Sequence, residues 1–132
     1  MEHSPFLAVP PDQWVAANDL AFAIRDIAPL FPGHTLVIPR RQVPDWWAAS
    51  TDERFAIFAL IDVVRDDLLS DERRAALLPG VSRPDGFNVG LNAGVHAGQT
   101  VPHLHVHVIP RYADPQSDPR ATMIDVVRGS GT

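Results

Sequence analysis

The chain contains no cysteine, which excludes disulfides and thiolate metal sites and fits a cytoplasmic location. It has little charge, 20% Asp, Glu, Lys and Arg against 45% hydrophobic residues, a balance that belongs to a folded chain and not to a disordered one. It has no basic excess. A formal net charge of -5 argues against a partner such as a nucleic acid polymer, whose long phosphate runs need many cations, yet leaves room for one or two phosphates in a local pocket. No apolar run reaches the length of a membrane span, and the opening "MEHSPFLAVPPD" has an acidic second residue and prolines where a signal peptide needs apolar continuity. The expectation is a soluble cytoplasmic protein with no membrane partner. At 132 residues it should form one domain, spanning 1–132, with a polar tail from about 113.

What the sequence has in plenty is proline, at 13 residues, and these help to place the turns. Asn18-Asp19 is a turn dipeptide between two short apolar segments, so Trp14 to Ala17 and Leu20 to Asp26 read as a hairpin. "HTLVIPR" reads as a strand from about His34 to Ile38, with His34, Leu36 and Ile38 on one face. Ser50 followed by Glu53 is a capping-box signature at the head of a long stretch free of Pro and Gly. In that helix Ile57, Leu60, Ile61, Val64 and Leu68 form one stripe, with Asp62, Arg65 and Asp66 roughly opposite. "SDERRAALLPG" continues as a second short helical turn ended by Pro79-Gly80. "FNVGLNAG" reads as a strand with Phe87, Val89 and Leu91 on one face, and Val101 to Ile109 as the last strand, ended by Pro110. In the tail only "TMIDVV" has the pattern of an ordered segment. The fold class is α+β: an antiparallel sheet of about five strands with one main helix packed on it.

Within the last strand, "HLHVHVIP" carries histidines at every second position. In a strand they share a face, about 6.6 to 6.8 Å apart, while Leu104, Val106 and Val108 take the other. Three readings are open: structural histidines satisfied in a core, a metal site built on His-x-His, and a catalytic imidazole array. No tight carboxylate cluster and no thiolate stands by to close a metal shell. Upstream, Gly90, Asn92, Gly94, Gly98 and Gln99 form a loop of small and amide residues that can approach phosphate oxygens, and His34 follows another glycine. A phosphate-ester site needs a nucleophile, donors for the phosphate oxygens and help for the leaving group. Imidazoles and amides supply all three without a metal, and attack by a histidine nitrogen would split one displacement into two easier steps.

These residues resemble the histidine triad (HIT) superfamily of nucleotide hydrolases and transferases. The family signature, His-apolar-His-apolar-His-apolar-apolar, is complete in "HLHVHVI". Likeness extends to "LAFAIRDIAPLFPGHTLVIPRR" and "NAGVHAGQTVPHLHVHVIPRY", covering about residues 14 to 112. The resemblance implies a HIT-like fold and a division of roles. His105 would be the nucleophile toward the α-phosphorus, with the main-chain carbonyl of His103 fixing its tautomer. His107 and His34 would hold phosphate oxygens and the reacting imidazole in register. Gln99 and Asn92 would contact phosphates, Asp26 the ribose hydroxyls, and Ile27 with Ile24 the base. Many bacterial relatives carry a zinc site whose places here are Ser4, Leu7 and Gln42, so the resemblance also implies that no structural zinc is held and no cofactor is required.

The run "AGQTVPHLHVHVIPRY" with "SDPR" resembles the dinucleoside polyphosphate hydrolase branch. "AFAIRDIAP" is closer to the phosphoramidase branch. The implied function is hydrolysis of dinucleoside polyphosphates such as diadenosine tetraphosphate through a nucleotidyl-histidine. The alternatives are nucleoside phosphoramidate hydrolysis and a nucleotide-binding module without turnover. Family members of this size form two-fold dimers, which implies a homodimer with nucleotide as the small-molecule partner.

Overall fold

The computed structural model describes residues 3–113. Five antiparallel strands form one open sheet in the order β1-β2-β3-β5-β4: β1 is Ala16–Ala17, β2 Ala21–Arg25, β3 Thr35–Pro39, β4 Gly86–Gly90 and β5 Val106–Arg111. Two helices, α1 (Thr51–Leu69) and α2 (Asp71–Leu77), lie between β3 and β4 in the chain. The expected α+β class holds. The segment "TMIDVV" and the tail from 114 lie outside the described residues. Among those described, no helix is long and apolar enough to cross a membrane.

The first hairpin forms where Asn18 expected it. Its side-chain oxygen accepts from the backbone N–H of Leu20 (3.2 Å) and Ala21 (2.9 Å), so one residue supplies the bonds that close the turn. The helix start is likewise local in origin. Ser50 accepts from the Glu53 backbone and the Glu53 carboxylate accepts from the Ser50 backbone, a complete capping box. Arg41 then pairs with Glu53 at 2.6 Å and ties the helix start to the segment after β3.

Both faces of the sheet are covered. On one side Ala21, Ala23, Val37, Val106 and Val108 meet the α1 stripe of Ile57, Leu60, Val64 and Leu68 in a single buried cluster. On the other, Phe22, Ile24, Leu36 and Ile38 pack with Phe6 from an N-terminal 3-10 turn at Pro5–Ala8. The alternation of side chains along β2 and β3 thus feeds two cores, and the second is the floor of the site. Gly33 sets the entry to β3: its φ is +93°, and a Cβ there would press on Leu68, Pro110 and Leu78 at 3.2 to 3.3 Å.

The last strand departs from expectation at both ends. The ladder begins at Val106, not Val101: β3 pairs with β5 only as far as Val37, although β3 runs on to Pro39, and Leu104 N–H bonds instead to Val43 O of the irregular segment beyond β3, at 2.8 Å. His103 and His105 therefore precede β5. Pro110 does not end the strand, which runs on to Arg111. β3 pairs only Val106 to Val108, so at Pro110 the strand has a neighbour on one side, a setting that tolerates a missing N–H. Of the three side chains expected on one face, Phe87 and Leu91 pack against the helix core, whereas Val89 is exposed on edge strand β4.

Candidate active site

Sheet register assembles the site. Ile24 on β2 stands opposite Leu36 on β3, and Leu36 opposite His107 on β5, so the three form a row on the face away from α1. His34 enters one residue ahead of β3, and His103 and His105 come from the segment leading into β5. All four imidazoles are buried, with exposures of 3% or less. The triad and His34, expected together, are brought together: the His105 and His107 ring centres are 5.3 Å apart, and those of His34 and His107 5.1 Å.

Backbone groups decide where each proton sits. Leu30 N–H donates to His34 Nδ1 at 3.1 Å, so in neutral His34 the proton is on Nε2. Nε2 lies 2.9 Å from His107 Nδ1 and donates to it, which leaves the His107 proton on its own Nε2. Independently, His105 Nδ1 donates to the main-chain carbonyl of His103 at 2.8 Å, making Nε2 the basic nitrogen of His105. His103 Nε2 donates to Pro39 O at 2.8 Å, so its Nδ1 accepts from the Ser4 hydroxyl at 2.6 Å.

Burial disfavours the charged form of three of these rings, His107, His34 and His103. It is the leading cause that pushes His107 down to about 3, with His105 and His34 adding to it. It also lowers His34, against the opposing pull of Asp26, and lowers His103, against its bond to Pro39.

Beside the cluster lies a cavity of about 530 Å³, lined by Phe6, Ile24, Asp26, Ile27, Leu36 and Val101 among others. Its apolar walls and single carboxylate suit a flat heteroaromatic ring with a polar appendage. Ile24 is buried in its floor, whereas Ile27 is 92% exposed at its rim and is no part of the core. Asp26 is shared between cavity and cluster. Its Oδ1 accepts from Ala28 N–H at 3.0 Å, and Oδ2 is 3.4 Å from His34 Nε2 and 4.0 Å from His107 Nδ1.

Gln99 is buried in the 94–101 loop, where Gly98 takes a left-handed conformation. Its Oε1 accepts from Gly94 N–H at 2.7 Å, and Nε2 donates to Pro44 O and Val101 O. Both amide hydrogens are thus committed, one to the loop at Val101 and one to Pro44 in the segment after β3, and a phosphate contact through Nε2 requires one of them to exchange. Asn92 is half-buried just beyond β4, outside the residues that line the cavity.

Two clusters bring together side chains of metal-ligating type or position. Asp26, His34 and His107 offer ligand atoms all within 4.8 Å of one another. A cation there needs lone pairs on His34 Nε2 and His107 Nδ1, yet Leu30 N–H already takes the lone pair of His34 Nδ1, and a neutral imidazole has only one. The places of the relatives' zinc ligands do meet around a triad histidine: Ser4 N–H donates to Gln42 Oε1 at 3.1 Å and Ser4 Oγ bonds His103. A hydroxyl, an amide and one imidazole are a poor donor set for zinc, and they satisfy each other by hydrogen bonds.

Sequence reading assigned no site role to Phe6, Ser4, Leu30 or Val101. Phe6 touches both His103 and His105, with ring centres at 5.7 and 5.1 Å, and lines the cavity. Only Ser4 left a trace, as a place where a ligand was missing.

The fold and site define an open antiparallel sheet whose face away from α1 carries four buried, tautomer-fixed imidazoles beside a largely apolar cavity. The HIT domain family model matches residues 8–114, and the chain belongs to that family. It is 36% identical over 118 residues to a protein of Mycobacterium tuberculosis named AP-4-A phosphorylase, covering 88% of this chain and 52% of that one. It is 37% identical over 92 residues to the asymmetrical bis(5'-nucleosyl)-tetraphosphatase of Schizosaccharomyces pombe, covering 70% and 45%. The chain thus spans about half the length of these relatives. Among solved structures, a HIT-like protein of Bartonella henselae superposes with a TM-score of 0.67 at 28% identity, covering 86% of this chain and 78% of that one.

Proposed function

We propose that the protein cleaves dinucleoside polyphosphates at an α-phosphate through a nucleotidyl-histidine on His105. The observation that carries this is the 2.8 Å bond from His105 Nδ1 to His103 O, which makes Nε2 the nucleophilic nitrogen before any substrate arrives. Nε2 attacks the α-phosphorus, the bond to the bridging oxygen breaks, and the remaining nucleoside polyphosphate departs with that electron pair. The substituted imidazole is then cationic, still holding its Nδ1 proton, and the His103 carbonyl stabilises that charge. Water attacks the same phosphorus next. It loses a proton and releases the nucleoside monophosphate and free His105. The Nε2–H of His107, imposed through His34, is the donor for a non-bridging oxygen.

In this reading one base stacks between Ile24 and Ile27, and Asp26 accepts from the ribose while orienting His34. Gln99 and Asn92 act on the polyphosphate side, Gln99 by holding the loop closed. No cofactor and no structural zinc take part. The relatives' names support the substrate class and divide on the acceptor. A phosphorylase delivers the nucleotidyl group to inorganic phosphate, a tetraphosphatase to water. With diadenosine tetraphosphate the first gives ADP and ATP, and the second AMP and ATP. Product analysis with and without phosphate separates them, and a phosphoramidate assayed alongside tests the other branch of the family. A His105→Ala variant should be inactive and should trap no nucleotidyl group; full turnover by that variant sinks the proposal.

A homodimer is part of the reading. Trp47, Phe55 and Phe58 are exposed near or on α1, and β4 is an edge strand carrying exposed Val89, an apolar surface suited to a second copy. Light scattering at the mass of one chain would remove it.

A further inference from the structure

We infer that Ser4 is a positioning residue for the nucleophile, acting through His103 on His105. The inference rests on the reading of His105 as the attacking residue and extends the site to the N-terminal segment.

The geometry is a relay of three hydrogen bonds. Pro39 O is a carbonyl and can only accept, so His103 Nε2 must carry the proton. Neutral His103 then has an acceptor at Nδ1, and the Ser4 hydroxyl 2.6 Å away must donate to it. Ser4 Oγ in turn accepts from Phe6 N–H at 3.2 Å, while Ser4 N–H is held by Gln42 at 3.1 Å. Ser4 is buried and its hydroxyl has one hydrogen to give; His103 receives it. With the ring clamped between Ser4 and Pro39, the backbone of His103 is fixed, and it is this residue's carbonyl that receives the His105 Nδ1 proton.

The same serine fixes a cavity wall. It caps the 3-10 turn at Pro5–Ala8, and Phe6 of that turn lies against His103 and His105 while lining the cavity. A wall displaced by loss of Ser4 would weaken substrate binding. Loss of tautomer control would slow the chemical step. The two roles separate in KM and kcat.

The test compares Ser4→Thr with Ser4→Val in the full chain, two side chains of one shape that differ by the hydroxyl, with Ser4→Ala as a third variant. Steady-state hydrolysis of diadenosine tetraphosphate gives kcat and KM. Nitrogen-15 NMR of the histidine rings, without substrate, gives the tautomer of His105. Expected are a kcat for Ser4→Val at least about tenfold below that of Ser4→Thr, the scale of one lost bond to a buried acceptor, and a His105 signal moved from the Nδ1–H form toward a mixture in the Val and Ala variants only. Equal kcat and an unchanged His105 tautomer in the Thr and Val variants overturn the inference, as does a change confined to KM. If the wild type turns over no dinucleotide, the functional reading fails, while the ring spectra still decide what Ser4 does to His105.

Discussion

Lowering the pH from 7 to 5 should destabilise this protein through its buried histidines, and His107 sets the scale. Its pKa is pushed down to about 3 in the fold by burial and by the neighbouring imidazoles, against about 6.5 in an unfolded chain. Between those values the unfolded state binds a proton that the folded state refuses, so stability rises with pH and is lost as pH falls below about 6.5. For one group shifted this far, the loss between pH 7 and pH 5 is about 2 kcal/mol. His34 and His103 are also lowered by burial and add in the same direction.

Glu53 is held below the usual carboxylate range by Arg41, and its contribution disappears only at lower pH. Urea unfolding at the two pH values reads the effect, and a His107→Gln variant isolates it: the wild type should lose about 2 kcal/mol more than the variant over the same interval. Equal losses in the two proteins would falsify the account of His107 as a buried neutral ring. Because a phosphate near His107 favours the protonated ring, saturating AMP should return part of the loss in the wild type and none in the variant.

Three further outcomes are expected. Ile27→Ala should leave stability within about 0.5 kcal/mol, as befits an exposed side chain, and weaken AMP binding by calorimetry; unchanged affinity would remove Ile27 from the base site. Ser50→Ala should lower unfolding free energy by about 1 kcal/mol through loss of the α1 cap, with activity preserved; no change in the urea midpoint would refute the capping box. Gln99→Ala should accelerate amide exchange at Gly94, whose N–H the Gln99 side chain accepts, relative to Leu104, whose N–H is bonded to Val43. Equal protection at Gly94 in both proteins would show that Gln99 does not close the loop.

Those parts of the fold that depend on neighbours in the chain were legible from the sequence. Asn18 announces its own turn, Ser50 and Glu53 their own cap, and the α1 stripe its own buried face, because each uses bonds or spacing within a few residues. The limits of β5 were not legible: its ladder starts where Val106 meets Val37 of β3, a partner far earlier in the chain, and β3 itself continues past that pair. The alternation of the three histidines held although two of them precede the strand, since Leu104 still enters the helix core while His103 and His105 meet Phe6. Phe6 itself had no pattern to betray it. A lone aromatic in a proline-rich N-terminus gains its place only when the sheet presents a face to cover.

The deeper limit concerns protons. Three histidines in a motif, with His34, specify where imidazoles are, and the proposed chemistry depends on which nitrogen of each ring holds hydrogen. Here that is decided by His103 C=O and Pro39 C=O, carbonyls that any residue type could supply, by Leu30 N–H, which any residue but proline could supply, and by one serine hydroxyl. Substitution at Leu30 that keeps the backbone in place should therefore leave the His34 tautomer intact, whereas substitution at Ser4 removes a donor that no backbone group replaces. The side chains of the triad are visible in the sequence because they stand in a pattern. The groups that fix their protons are visible only once the chain has folded, and of these Ser4 is the one that mutation can reach.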